Sequence, residues 1–471
     1  MASCGGLVSR QKPRSMLPNP RHGGFPTRRG LPACPTSNNK GMHSFLHPRD
    51  EILQAMERIY RYRMTTTSGG NLSIREPNGD VWITPARVDK GGLNRSDIVL
   101  VRADGNIEGH RRPSSELPLH QAIYRARPDV HGIVHAHPVA LVAFSLVCAV
   151  PNTRLFHQSW QVCGEGGFAP YELPGSAALG TSVAAAFARK HDCVILENHG
   201  VVTAGGNLQQ AFHRFETFEF TGKTIIKARL LGREVRYLTD GEIELARNRQ
   251  AEMPEFPREA PSSEEKELRA RLCEFVQRAY RQRLFISTQG SFSARLGPTS
   301  FLITPHHQDR GTLRAGDLAL IQECRAEAGA APSRAANIHE AIYRRHPAIG
   351  AIINAYPVNA TAFSVAGATV DTRTIPESYV VVRKTGIAPY GLQFTEPEAL
   401  AAMLSPRQPA FILENDGVVV AGGDPLEAFD RLEVLESTAE AIINARALGT
   451  MSPMSDRVIE ELEIAFFGQS A

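Results

Sequence analysis

Two histidines separated by one residue end an apolar segment that reads VHGIVHAHP. Because alternate side chains of a β-strand point to the same face, His135 and His137 are predicted to project together from one side of a sheet. Two neutral imidazoles that converge in this way supply half of a transition-metal site. The pair therefore indicates metal chemistry, the alternative being an ordinary half-buried strand that carries two histidines.

A third histidine lies downstream, at a predicted tight corner. The apolar residues VIL run into the segment Glu197–Gly200 and the chain continues as VVTAG, which predicts two strands joined at a glycine-containing turn that carries His199. Three histidines and one carboxylate form a mixed nitrogen and oxygen site suited to Zn²⁺ or a neighbouring divalent ion. This interpretation is stronger than three unrelated histidines.

Two segments upstream have the features of anion-binding backbone. LPLHQAIYRA has the apolar spacing of a short helix, so Glu116 is predicted near its N-terminus, after Ser114 and Ser115. Backbone N–H groups and hydroxyls can hold an anion there. Further upstream, the glycine pair of SGGNLSIR leads into a strand and offers N–H groups at close approach, the alternative being a simple turn.

Four motifs in this order resemble those of the class II aldolase/adducin family, of the L-fuculose-1-phosphate aldolase type: SGGNLSIR (68–75), PSSE (113–116), HAHP (135–138) and ENHG (197–200). The resemblance implies a catalytic Zn²⁺, or another divalent cation such as Mn²⁺, Co²⁺ or Fe²⁺, bound by Glu116, His135, His137 and His199. It implies that Glu116 also acts as acid and base. It implies a substrate phosphate held by Gly70, Asn71, Ser114 and Ser115.

Two departures from the aldolase pattern bear on the substrate. Where the sugar-phosphate aldolases place a Thr-Gly pair after the ITP strand, this chain has Ala86 and Arg87. Arg87 is predicted to bind a carboxylate or phosphate bidentately, unless it is simply exposed. Trp160 also stands where a tyrosine from the neighbouring subunit is expected. These departures leave room for decarboxylation of a hydroxy or oxo acid.

The second half of the chain repeats the first. At a shift of 219, residues 120–145 align with residues 339–364, and 13 of the 26 positions are identical. The metal-binding positions have all changed, as the pairs Glu116 and Ala335, His135 and Asn354, His137 and Tyr356, and His199 and Asp416 show. The repeat therefore indicates a tandem duplication whose second copy is degenerate. Its remaining histidines, such as His306 and His307, are predicted to be solvated loop residues.

Composition limits the classes of protein that need to be considered. With 42% hydrophobic and 21% charged residues, the chain is typical of a soluble globular protein, and no apolar run is long enough to span a bilayer. Seven scattered cysteines without a CxxC pair favour a reducing, cytoplasmic location. Residues 1–49 hold eight Lys or Arg and no Asp or Glu, whereas the whole chain has a net charge of +3. The remaining residues therefore have a net charge of −5, which argues against binding of nucleic acid.

The predicted architecture is α/β, with a three-layer α/β/α domain of the class II aldolase/adducin type present twice. The predicted boundaries are a disordered tail at 1–48, a catalytic domain at 49–250, a linker at 251–265 and a degenerate domain without metal ligands at 266–471. The composition of the tail suggests a transit peptide, but its prolines would break the amphipathic helix that such a peptide needs. An over-extended start, with translation beginning near Met42, explains the tail equally well, and we expect it to have no function.

The predicted function is that of a metal-dependent lyase. It cleaves a carbon–carbon bond of a small hydroxy or oxo substrate, by retro-aldol reaction or decarboxylation, and a divalent cation stabilises the negative charge of the enolate. The alternatives are a pentose-phosphate epimerase or dehydratase and, in another class, an adducin-like binding protein. Adducins lack the metal ligands, whereas the first copy keeps all of them, which favours the enzyme.

The resemblance also implies an oligomer. The family's aldolases are fourfold rings with active sites between subunits, so a fused pair of domains is expected to form the same ring as a dimer of chains. At the shift of 219, Trp160 corresponds to Tyr379. Tyr379 is therefore predicted to donate a proton to the adjoining site, the alternative being a tyrosine that packs in an interface.

Overall fold

The computed structural model describes residues 46–247 and 253–468. The predicted tail at 1–48 lies outside the described residues except for its last three positions. Within the described ranges, none of the helices combines the length and the apolar character that crossing a membrane requires.

The first copy is built on one mixed sheet. Its strands are β1 (Asn71–Arg75), β2 (Val81–Ile83), β3 (Val99–Val101), β4 (Ile107–Glu108), β5 (Gly132–Ala136), β6 (Gly167–Ala169), β7 (Cys193–Leu196) and β8 (Gly200–Gly205). They lie in the order β4-β3-β2-β1-β5-β8-β7-β6. Neighbouring strands are antiparallel except β6 and β7, which are parallel.

Helices cover both faces of this sheet. They are α1 (Pro48–Arg61), α2 (Leu117–Ala126), α3 (Val139–Leu146), α4 (His157–Cys163), α5 (Ala177–Ala188), α6 (Leu208–Leu230) and α7 (Asp240–Arg247). Consecutive residues of β5 enter different cores, because side chains alternate along a strand: Ile133 packs with α2 and α5, and Val134 packs with α1 and α6. The predicted three-layer α/β/α arrangement is confirmed.

The second copy repeats the plan. Its strands are β9 (Glu255–Phe256), β10 (Ser291–Gly297), β11 (Ser300–Ile303), β12 (Ala319–Gln322), β13 (Arg325–Glu327), β14 (Ala351–Ala355), β15 (Thr385–Ala388), β16 (Ala410–Leu413) and β17 (Gly417–Gly422). Their order is β15-β16-β17-β14-β10-β11-β12-β13-β9. Asn71 pairs with His135 in the first sheet, and Ser291 pairs with Asn354 in the second. The register therefore reproduces the correspondence read from the sequence.

The helices of the second copy are α8 (Ser263–Arg281), α9 (Ala336–Arg345), α10 (Val358–Val365), α11 (Pro376–Val382), α12 (Leu392–Thr395), α13 (Pro397–Ala402), α14 (Pro425–Ala445) and α15 (Asp456–Phe467). The segment predicted as a linker contains structure of its own. Within it, β9 pairs in parallel with β13 at the edge of the sheet, and Ser262 caps α8 by accepting a hydrogen bond from the N–H of Glu265 at 3.1 Å.

A buried charged network joins the two copies. Glu216 of α6 is fully buried, accepts a hydrogen bond from the hydroxyl of Tyr280 at 2.7 Å and pairs with Arg283 at 2.7 Å. Arg58 of α1 lies between Glu216, at 3.4 Å, and Asp309, at 2.7 Å. Because each buried charge has partners from the other copy, separating the copies would leave these charges unpaired.

Candidate metal centre

Three strand ends bring the predicted histidines together. His135 occupies β5, His137 follows its last residue, and His199 lies in the turn between β7 and β8. Nε2 of His137 is 3.1 Å from Nε2 of His135. Potential ligand atoms of all three side chains lie within 4.8 Å of one another. The cluster predicted from the sequence is therefore present.

Glu116 completes the cluster from the start of α2. Its Oε2 is 3.0 Å from Nε2 of His135, and its Oε1 is 3.4 Å from Nε2 of His199. Asn71 donates a hydrogen bond from Nδ2 to Oε2 at 2.7 Å. Oε1 is buried and has no hydrogen-bond partner in the described part of the chain. One carboxylate oxygen is thus held in place while the other faces the imidazoles.

The turn that carries His199 depends on a glycine. A Cβ atom at Gly200 would lie 2.6 Å from the carbonyl oxygen of Ala136 and 2.7 Å from Cδ2 of His137. Both distances are shorter than real Cβ contacts, and one of the neighbours is backbone that cannot easily move. The close approach of the two strand ends, which places His199 beside His137, therefore requires glycine here.

Hydrogen bonds behind the cluster orient His135 and also Asn71, the residue that holds Glu116. Nδ1 of His135 donates to the carbonyl oxygen of Val201 at 3.0 Å, so Nε2 faces the other ligands. His120, which is fully buried, bonds through Nδ1 to the hydroxyl of Ser73 at 2.6 Å and through Nε2 to Asn71. Motif spacing does not reveal His120, but the internal repeat does, because His339 occupies the same place and bonds Ser293.

The electrostatics of the cluster leave two imidazoles uncharged. Burial raises the pKa of Glu116, but the charge of His135 and the hydrogen bonds from His135 and Asn71 outweigh burial and hold that pKa below its ordinary value. Burial and then the charge of His135 lower the pKa of His137 to about 3 and that of His199 to about 4. Their lone pairs are therefore available to a metal at neutral pH.

The donor set fits a divalent cation. Three imidazole nitrogens and a carboxylate oxygen are the ligands that Zn²⁺ and neighbouring divalent ions take in proteins. Oε1 of Glu116 is the decisive atom, because a buried carboxylate oxygen without a hydrogen-bond partner is costly unless another group compensates it. His135, His137, His199 and Glu116 would hold the ion.

The predicted substrate-binding residues surround the cluster unevenly. Gly70 adopts a φ of 69° and packs against the backbone of β5, immediately before Asn71. Ser114 is buried and its hydroxyl accepts a hydrogen bond from the N–H of Glu116 at 3.2 Å. Ser115 and Arg87 are exposed. Gly70, Asn71 and Ser114 are therefore built into the site, whereas Ser115 and Arg87 border solvent.

A buried lysine near this loop has no motif to reveal it. Lys90 is 3% exposed, and its ammonium donates to the carbonyl oxygen of Pro85 at 2.8 Å. Burial lowers the pKa of Lys90 to about 8. The backbone N–H of Lys90 donates a hydrogen bond to the carbonyl oxygen of Thr67, in the loop that precedes Gly70. The internal repeat does point to this position, because at a shift of 220 the corresponding residue, Arg310, also carries a positive charge.

Tyr379 lies apart from the cluster in this chain. It is half-buried on α11, and its hydroxyl donates to Glu463 of α15 at 2.6 Å. Its counterpart Trp160 stacks under the guanidinium of Arg154 at 4.5 Å. The structure of a single chain thus does not bring Tyr379 to the three histidines, and its role stays a prediction.

The fold and the site can be compared with known proteins. The family model for the Class II Aldolase and Adducin N-terminal domain matches residues 50–226 and again residues 270–443, which together exceed half of the chain. The chain belongs to this family. The two matched segments confirm the tandem duplication, so this class II aldolase family member contains the family's domain twice.

Three curated relatives of this class II aldolase family member are a decarboxylase and two aldolases. It is 31% identical over 200 residues, 41% of this chain and 92% of the relative, to a 3-oxo-tetronate 4-phosphate decarboxylase of Escherichia coli K12. It is 33% identical over 212 residues, 42% of this chain and 92% of the relative, to a 5-deoxy-D-ribulose 1-phosphate aldolase of Bacillus thuringiensis. It is 34% identical over 163 residues, 34% of this chain and 86% of the relative, to an L-fuculose phosphate aldolase of Methanococcus maripaludis.

Family membership and these relatives identify the protein as a class II aldolase-type lyase. The prediction of an enzyme, made from the motifs, is confirmed. The degenerate copy differs at every predicted metal position, since Ala335, Asn354, Tyr356 and Asp416 replace the four ligands.

Proposed function

We propose that residues 49–250 form the catalytic domain of a divalent-metal-dependent lyase that cleaves a carbon–carbon bond of a small phosphorylated hydroxy or oxo substrate. The observation that carries this proposal is the unpartnered, buried Oε1 of Glu116, which faces the three-histidine cluster. Zn²⁺ is the ion we favour for three imidazoles and a carboxylate. The matched relatives act on phosphorylated compounds by their names, which supports a phosphorylated substrate here.

Each residue has a part in the proposed reaction. When bound, the divalent ion supplies Lewis-acid stabilisation of the negative charge that develops on the enolate oxygen. Glu116 accepts the proton of the substrate hydroxyl in a retro-aldol cleavage, the carbon–carbon bond breaks, and its electron pair becomes the enolate. In a decarboxylation the bond to the carboxylate breaks and CO₂ leaves. After retro-aldol cleavage the enolate carbon receives back the proton that Glu116 took up, whereas after decarboxylation, in which Glu116 has accepted no proton, the enolate carbon takes its proton from water.

The surroundings of Glu116 suit this exchange of a proton. Asn71 holds Oε2 by a hydrogen bond, and His120 holds Asn71 from the buried side. The carboxylate is therefore fixed in orientation while Oε1 stays available. Gly70, Asn71, Ser114 and Ser115 are proposed to hold the substrate's phosphate, with Arg87 at the mouth of the site.

The reaction can be tested with the metal-loaded chain and three phosphorylated compounds. We expect cleavage of L-fuculose 1-phosphate or 5-deoxyribulose 1-phosphate to glycerone phosphate, or release of CO₂ from 3-oxo-tetronate 4-phosphate. Both reactions release glycerone phosphate, which a coupled assay detects, and the release of CO₂ separates the decarboxylase from the aldolases. The dephosphorylated analogue of the accepted compound should lose about 100-fold in kcat/KM, since two charge-assisted contacts contribute roughly 1.5 kcal/mol each. If none of the three is cleaved, the proposed substrate class is wrong.

We further propose that two chains assemble into a ring of four domains. Within one chain, α4 of the first copy already lines the equivalent site of the second copy through His157, Gln158 and Gln161. If the second copy repeats this contact toward another chain, α11 lies at that chain's metal centre. The degenerate copy then acts as a non-catalytic partner that completes the catalytic site.

In such a ring, Tyr379 is the proposed proton donor, and its bond to Glu463 must be exchanged on assembly. We expect Tyr379→Phe to lower kcat at least about tenfold, in keeping with loss of a general acid, without changing metal content or oligomeric state. The matched variant is Glu377→Gln, because Glu377 corresponds to Gln158, which lines the equivalent site. A neutral Tyr379→Phe together with an impaired Glu377→Gln would reassign the cross-chain role to Glu377.

A cytoplasmic location is part of the proposal. The described cysteines Cys148, Cys163, Cys193, Cys273 and Cys324 are all free thiols, which suits a reducing compartment.

A further inference from the structure

The degenerate copy contains a cavity of about 100 Å³ where its lost metal centre would lie. Three helical elements line it: α4, which comes from the first copy, and the start of α9 together with α12 in the second. His306 and His307, predicted to be solvated, also line it, and His306 is half-buried there. That prediction is therefore wrong for His306, which lines the cavity together with residues of α4. The side chains that matter most are His157, Gln158, Arg310, Arg334, Tyr356 and Asp416.

The cavity carries an excess of positive charge. Arg310 is 2% exposed and donates through Nε and Nη1 to the carbonyl oxygens of Gly290 and Gln308, each at 2.9 Å. Its Nη2 has no protein partner among the described residues. Arg334 is half-buried and donates to His157 at 3.1 Å. Neither guanidinium takes part in an ion pair within the described ranges, so their charges lack a protein counter-ion at contact distance.

The acidic side of the cavity does not cancel this charge. Asp416 accepts hydrogen bonds from Gln158 at 2.8 Å, Tyr356 at 3.0 Å and Gln393 at 2.9 Å. Burial raises the pKa of Asp416 to about 6, although these hydrogen bonds and the charge of Arg334 oppose the rise. One carboxylate thus stands against two guanidinium groups.

Two buried polar atoms of α4 have no partner. A guanidinium can only donate, so Nε2 of His157 is the acceptor for Arg334 and Nδ1 carries the proton. Nδ1 is 3.6 Å from Asp416, beyond hydrogen-bond distance, and is unpaired. Oε1 of Gln158 also lacks a donor, although Gln158 is only 7% exposed. His157 and Gln158, which line the cavity, therefore carry one unused donor and one unused acceptor.

The replacements in this copy explain why an anion suits the site. Arg334 stands where the first copy has Ser115, and Ala335 stands where it has Glu116. The ligand carboxylate is gone, and a guanidinium of the chain itself supplies positive charge next to that position. A site that no longer holds a cation can attract the anionic group of a ligand through its own arginines.

We propose that this cavity binds a small hydroxylated phosphate monoester, whose phosphate is held by Arg334 and Arg310 and whose hydroxyl donates to Gln158. The phosphate oxygens can accept hydrogen bonds from both guanidinium groups and from the Nδ1–H of His157, which otherwise has no acceptor among the described residues. The site is separate from the catalytic centre, and its occupant bridges the two copies through α4. This inference does not depend on the reaction that the first copy performs.

Calorimetric titration of the metal-loaded full chain with inorganic phosphate and with glycerol 3-phosphate tests the proposal. We expect two binding events in the unmodified chain, one for each copy. In Arg334→Gln the second-copy event should weaken at least about tenfold, because a charge-assisted pair is lost. Glycerol 3-phosphate should bind the second copy more tightly than inorganic phosphate, since it also offers hydroxyls.

Control variants separate a local site from a general charge effect. Arg407→Gln removes the same charge from an exposed position and should leave both events unchanged. If Arg334→Gln does not fold, Arg334→Lys tests the proposal instead. This variant keeps the positive charge but loses the planar guanidinium, so phosphate binding to the second copy should weaken measurably. Equal phosphate affinity in the unmodified chain and in the folded Arg334 variant, or a single binding event in both, would overturn the proposal.

Discussion

Replacing His137 with alanine is expected to abolish metal binding by the whole chain. The unmodified protein should hold about one divalent ion per chain, because the second copy has lost every ligand and the described residues contain one such cluster. His137 supplies a nitrogen 3.1 Å from that of His135. Without it, two imidazoles and the carboxylate of Glu116 remain, and we expect these three donors to be too few to retain the ion. Elemental analysis should give less than about 0.1 ion per chain for His137→Ala.

The second copy offers a matched control for this result. Tyr356 occupies the position that corresponds to His137 but bonds Asp416 instead of a metal. Tyr356→Phe should therefore keep the metal content of the unmodified chain. Two ions per chain in the unmodified protein, or a full complement in His137→Ala, would contradict the assignment of the metal to the first copy.

Glu116→Gln is expected to lower turnover by about 10²- to 10⁴-fold, which is the range for loss of a general base. The amide oxygen can still approach the cluster, so part of the metal should remain bound, but the amide cannot accept a proton. The measurements are kcat and metal content in the same preparation. Turnover per bound metal, rather than total turnover, is the quantity that separates proton transfer from coordination.

Glu197→Gln is the matched control for that variant. Glu197 lies two residues before His199, but its Oε2 accepts a hydrogen bond from the N–H of Tyr171 at 2.9 Å and its Oε1 from Cys148. It is thus a neighbouring carboxylate outside the cluster, and its variant should keep turnover within about twofold of the unmodified chain, as for substitutions away from specific features. If turnover per bound metal is unchanged in Glu116→Gln, Glu116 does not transfer a proton and acts as a metal ligand alone.

Local pattern was sufficient to predict the elements that carry the candidate metal ligands. The period of two in VHGIVHAHP and the glycine turn after VIL are properties of neighbouring residues, and β5 and the β7–β8 turn follow from them. The apolar spacing of LPLHQAIYRA likewise placed α2 from Leu117 to Ala126, with Glu116 at its start. The sequence by itself also determined the duplication, because thirteen identities in 26 aligned positions need no coordinates.

Tertiary structure alone decided which polar groups are buried and which of their atoms lack hydrogen-bond partners. Lys90 is polar in any local pattern, and only the packing of its loop buries it. The sequence predicts His306 to be a solvated loop residue, but in the structure it is half-buried and lines the cavity together with residues of α4 from the other copy. The unpaired atoms of Glu116 and His157 arise from distances between residues far apart in the chain, which no local periodicity encodes. Motifs thus identified the three-histidine cluster with Glu116, whereas the cavity of the second copy is lined by residues of both copies and depends on their packing.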